Sequence, residues 1–112
     1  MPRYLISFDD GAMDHLGDDL SAVGEAAHRV LRDAKAAKVW ITGGGLMRQQ
    51  ATIVDTDGSV RLGHAPETKP VLGGFSIVEV ASLDDALAWA TRFADACQCA
   101  QEVRLIMDDP EA

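Results

Sequence analysis

The stretch Phe75-Ser76-Ile77-Val78-Glu79-Val80 limits what this chain can become. It reads as an extended strand, in which successive side chains point to opposite faces. Phe75 and Ile77 then lie on one face, and Val78 and Val80 on the other. A strand that is apolar on both sides belongs inside a sheet covered on both sides. Gly73 and Gly74 lead into it, where the backbone must turn or approach a neighbour closely.

The rest of the chain supplies little to cover such a sheet. Its 112 residues suit one domain, spanning 1–112. Tyr4, Ile6 and Phe8 alternate as a first strand, and an Asp- and Gly-rich connection follows. From about Asp18 the spacing becomes helical, with Leu20, Val23, Ala27, Val30, Leu31 and Ala34 on one stripe and His28 off it as a surface residue. Val39 to Thr42 is a second strand that runs into Gly43-Gly44-Gly45. Because an extended segment follows rather than a helix, these glycines predict a bulge or kink, not a phosphate loop. Asp55-Thr56-Asp57-Gly58 is a turn between short runs at 50–54 and 59–62, which read as a hairpin. Ser82 N-caps a second helix whose stripe is Leu83, Ala86, Leu87, Ala90 and Ala94, with Phe93 at its edge. Residues 102–107 form the last strand.

This order is β-α-β-(hairpin)-β-α-β, an α+β ferredoxin-like arrangement, βαββαβ with an inserted hairpin. Two helices cover one sheet face. The other face needs a second subunit, so the expectation is a homodimer with its sheets face to face.

Composition excludes several classes of function. A formal net charge of −8 disfavours nucleic acid and anionic membranes. No apolar run reaches membrane-spanning length, and the N-terminus turns acidic before a signal-peptide core forms. Cys97 and Cys99, as C-x-C without a second pair, predict free thiols in a reducing cytoplasm and no metal site. Nothing in the sequence implies a cofactor.

Glu67-Thr68-Lys69, then Leu72-Gly73-Gly74-Phe75, Ser82-Leu83-Asp84-Asp85-Ala86 and Glu102-Val103-Arg104 follow one another in an order that resembles the YCII-related proteins, DGPF-domain branch. Gly43-Gly44-Gly45-Leu46 and the hairpin after it fit the same resemblance. It implies a dimeric α/β barrel built from ferredoxin-like subunits, in a family mostly without assigned reactions. Some members of the family are tied to transcription regulators. A related YCII-like protein is a lyase that removes chloride with a His–Asp pair. The family's Asp-Gly-Pro-Phe falls here on Leu62-Gly63-His64-Ala65, so only the glycine remains.

The candidate catalytic residues are His64 and His15, because histidine titrates near neutral pH. His15-Leu16 resembles the family's His-Leu, and the simpler reading of His64 is a solvated loop residue. The candidate ligand-binding residues are Glu67 and Lys69, which point the same way from an extended segment, with Glu79 and Arg104, charges set inside apolar strands. Arg104 suits a carboxylate, which its planar fork bonds bidentately.

Three functions follow. The first is a binding or accessory protein linked through a protein partner to transcriptional regulation. The second is a lyase or isomerase acting on a small acidic substrate between the sheets, with a His as acid/base. The third is a structural oligomerisation module.

Overall fold

The computed structural model describes residues 1–47, 51–63 and 71–112. Among these residues six strands and two α-helices follow in the order β1 (Arg3–Asp9), α1 (Leu20–Ala36), β2 (Trp40–Gly45), β3 (Thr52–Val54), β4 (Val60–Leu62), β5 (Leu72–Glu79), α2 (Leu83–Cys97) and β6 (Glu102–Leu105). A 3-10 helix at Asp14–Asp19 leads into α1 through a kink at Gly17, whose φ of 52° suits glycine.

β2, β5, β1 and β6 form one antiparallel sheet in that order, and β3–β4 is a separate hairpin. This is the ferredoxin-like α+β topology that the element order predicts. Strand register sorts the side chains. Tyr4 faces Val78 and Leu105, and Ile6 faces Ser76 and Val103, all on the helix-covered side. Leu5 faces Ile77 and Arg104 on the opposite side, which no other described element covers.

The core lies between α2 and the β1–β5 centre of the sheet. Tyr4, Ile6, Val78, Val80, Ala86 and Ala90 are buried together, with Val39, Trp89 and Val103 packed around them. The α2 stripe therefore runs Ala86, Ala90, Phe93, Cys97 at helical spacing. This corrects the predicted stripe. Phe93 is core rather than edge, while Leu83 and Leu87 are 51% and 43% exposed. Small alanines let the helix lie close to the strands, so the contact line passes through them and leaves the leucines at its rim.

Ser82 caps α2 as predicted, accepting from the Asp85 backbone N–H at 3.2 Å. At its other end α1 closes with the paired bonds Val39 N–H to Ala34 and Lys38 N–H to Lys35. Lys38 takes the left-handed turn there, at φ 62°, a position glycine usually fills.

Candidate functional site

The helix-covered face is not filled evenly. Beneath α1, where β2 pairs with β5, the strands contribute Gly43, Gly45, Gly74 and Ser76 to the helix side. Almost no side chain rises there, and two aromatic rings lie down in the space. A Cβ on Gly74 would sit 2.5 Å from Phe8 Cζ, and one on Gly43 would sit 2.8 Å from Trp40 Cη2 and 2.4 Å from the Phe75 carbonyl oxygen. The glycines are what allow the rings to lie flat on the backbone.

Above those rings the packing stops short. A cavity of about 180 Å³ remains, bounded below by Phe8, Trp40, Gly44, Gly45 and Ser76. Ala27, His28 and Leu31 of α1 bound it above. Phe93 closes one end, its ring centroid 6.3 Å from that of Trp40. Cys97 and Gln101 also line it. An apolar cavity of about 150 Å³ holds benzene, so the space fits one six-membered ring. His28, Ser76 and Gln101 bring hydrogen-bonding groups to its boundary.

A larger groove of about 710 Å³ runs between α1 and α2. It is open to solvent, lined by Asp33, Arg92 and Asp95, and crossed by the Arg92–Asp33 ion pair. Arg92 also stacks over Trp89, 4.9 Å from the ring centre. We read the groove as a helix–helix seam, because a site that excludes water strengthens polar interactions and this one does not.

Among the described residues, the predicted site residues His15, Glu79 and Arg104 lie apart. His64, Glu67 and Lys69 lie outside the described residues. His15 is exposed on the 3-10 helix and does not line the cavity, although Met13 just before it does. Glu79 and Arg104 both project from the uncovered sheet face, but not toward each other. Glu79 accepts from Arg3 Nε at 3.1 Å and lies 3.6 Å from the N-terminal amine. Arg104 pairs with Glu102 and donates to Ser7 Oγ at 3.4 Å. Ser7 is fully buried on that face. A carboxylate ligand at Arg104 would have to compete with Glu102.

The residue that the sequence reading missed is His28. It is an exposed residue, as predicted, but its place beside Leu31, one turn on, brings it to the cavity edge. The signal was present in the strands, as glycines paired with aromatics, and not in the helix stripe. Burial pushes the Cys97 thiol up to about 11, with the neighbouring Cys99 adding to the effect, and burial also raises Cys99. Both are poor nucleophiles near neutral pH.

The profile of the YCII-related domain matches residues 4–108. Among solved structures, 5-chloro-2-hydroxyhydroquinone dehydrochlorinase from Burkholderia phenoliruptrix AC1100, in complex with 2,5-dihydroxybenzoquinone, has the same fold. It aligns with a TM-score of 0.55 over 99% of this chain and 98% of its own, at 19% identity. No curated protein matches the chain. Among the described residues, no helix is long and apolar enough to cross a membrane. The full-length match to an enzyme overturns the first-ranked expectation of a binding or accessory protein tied to regulation.

Proposed function

The chain belongs to the YCII-related family, and on that premise we propose that it is a small-molecule lyase or isomerase. Its site is the cavity beneath α1, with His28 as acid/base. The observation that carries this reading is a ring-sized space floored by Phe8 and Trp40 with a histidine on its border. That the dehydrochlorinase of the same fold was solved with a dihydroxybenzoquinone supports a single-ring, weakly acidic substrate.

In this reading a neutral imidazole nitrogen of His28 takes a proton from the substrate. The electron pair released forms a new double bond. In a lyase the substrate reacts as its keto tautomer, with the chlorine on a saturated ring carbon. A hydroxyl gives up the proton, the electrons pass along the conjugated ring to form the new double bond, and chloride leaves that carbon to give a hydroxybenzoquinone. In an isomerase the imidazolium returns the proton further along the conjugated system. The aromatic walls hold the ring, while Ser76 and Gln101 orient its oxygens.

The working form is a homodimer. The uncovered face, with Leu5, Phe75 and Ile77 half-buried on it, packs on its copy to complete the α/β barrel of the DGPF branch, and the protein works in the cytoplasm. The acidic surface keeps it off nucleic acid and anionic membranes.

The test uses 2,5-dihydroxybenzoquinone as the binding probe and chloride release from chlorinated hydroxyhydroquinones as the activity. Wild type should bind the probe with quenching of Trp40 fluorescence, with Trp40→Phe reporting any contribution from Trp89. His28→Ala should still bind, but turn over about 10²–10⁴-fold more slowly. Undiminished turnover by His28→Ala, or no binding to wild type, refutes the site.

A further inference from the structure

We propose that the β3–β4 hairpin is a dimerisation arm that lays its apolar face on a second copy of this chain. In the hairpin, Thr52 pairs with Leu62, Ile53 with Arg61 and Val54 with Val60. Alternation therefore puts Val54, Val60 and Leu62 on one face and Ile53 and Arg61 on the other. The two faces differ in what they meet. Ile53 is half-buried and Arg61 is held by Asp55 at 3.1 Å. Val54, Val60 and Leu62 are 68%, 64% and 69% exposed.

The hairpin is well formed in itself. Its base is closed by Gly63 N–H to Ala51 at 3.0 Å, and its turn by Asp57 accepting from the Ser59 backbone N–H at 2.9 Å and the Ser59 hydroxyl at 2.7 Å. These two bonds hold the Asp57 carboxyl below its ordinary value. An isolated two-stranded hairpin is marginal in water, and β-branched side chains on one face are the usual means of packing it on something.

Area identifies the occupant. The chain is only 19 Å thick, one helix layer on one sheet, and no other described element packs on the second sheet face. Strands of this length at about 4.8 Å spacing give that face a plan area of roughly 300–400 Å². Even with half as much again for side-chain relief, it falls short of the ~800 Å² per partner that a stable interface buries. The hairpin is inserted between β2 and β5, so it leaves the sheet from the edge pair. An arm inserted at that edge supplies the missing contact in the proposed dimer. This inference rests on the homodimer proposed above.

The test is the mass of the full chain by sedimentation over a wide range of concentration. The variant is Val54→Lys with Val60→Glu, whose opposite charges face each other and preserve the strand pairing while removing the apolar face. We expect wild type to be a dimer and the variant to dissociate about tenfold or more readily, with unchanged far-UV circular dichroism. A variant that dimerises like wild type overturns the arm and leaves the dimer standing. A wild type that is monomeric throughout overturns both. If the double variant loses its fold, Val60→Cys carrying a photo-crosslinker is irradiated in a mixture of light- and heavy-isotope chains. Mixed-isotope crosslinks then support the arm, and purely intrachain ones overturn it.

Discussion

The two halves of the helix-covered face are packed differently although the same sheet underlies both. Beneath α2, Tyr4, Ile6, Val78, Val80, Ala86 and Ala90 are between 0% and 6% exposed. Beneath α1, the strands offer glycines, the rings of Phe8 and Trp40 lie flat, and a cavity of about 180 Å³ stays open. α1 directs its buried residues, Val23, Val30 and Ala34, largely toward α2. One half of the face is close-packed, and the other leaves the space that the proposed function uses. Functional sites often coincide with such departures from close packing.

The comparison is tested most severely by truncating a residue from each half. Ile6 is 1% exposed in the close-packed half, and Ile6→Ala should cost about 2–5 kcal/mol. Leu31 already borders empty space, so Leu31→Ala loses fewer contacts and should cost under about half as much. Urea unfolding midpoints at constant m-value measure both. Equal losses would mean that the α1 half is filled in solution, and the cavity would go with the distinction.

The sequence made one of these halves far easier to see than the other. Alternation in Tyr4–Phe8 and the run 75–80 announce strands, and Ser82 announces a helix start, because each signal is local. Topology followed from the order of those elements. The cavity did not, because it arises from cross-strand pairing: Gly43 opposite Ser76, and Gly74 opposite Phe8. Those neighbours are tens of residues apart in the chain, and no periodicity within one element reveals them. His28, the proposed acid/base, was missed for the same reason, since only the register shows the space left by the strands below it. Arg104 and Glu79 do lie in strands, β6 and β5. Each already has its own partner, Glu102 and Arg3, which only the register shows.

The glycines allow a finer test, within a single strand. A Cβ on Gly43 would meet the Phe75 carbonyl oxygen at 2.4 Å and the Trp40 ring at 2.8 Å, whereas one on Gly44 meets nothing within 4 Å. Gly43→Ala must push either the β2–β5 pairing or the Trp40 ring aside, at about 1–3 kcal/mol. Gly44→Ala should be neutral or stabilise by up to about 1 kcal/mol, because it removes freedom from the unfolded chain without a clash. Thermal unfolding gives the stabilities. A shifted Trp emission in Gly43→Ala, compared with Trp40→Phe to separate Trp89, locates the strain at the cavity floor. Similar behaviour of the two alanine variants would show that the rings do not rest on the backbone.

The smallest effect concerns how firmly each helix is anchored over its half. α2 begins on Ser82, whose hydroxyl accepts from the Asp85 N–H. α1 begins at Asp19, which makes no side-chain cap bond and follows directly on the 3-10 helix. Ser82→Ala should therefore cost about 1 kcal/mol. Asp19→Ala should cost only a few tenths, the loss of a negative charge near the helix's positive end. Salt separates the two mechanisms, since the charge effect is screened and a lost cap bond on a neutral hydroxyl is not. If Asp19→Ala proved as costly as Ser82→Ala, and equally so in high salt, α1 would be held by a cap in solution. The helix above the cavity would then be as fixed as the one above the core, leaving the missing side chains of β2 and β5 as the whole cause of the open space.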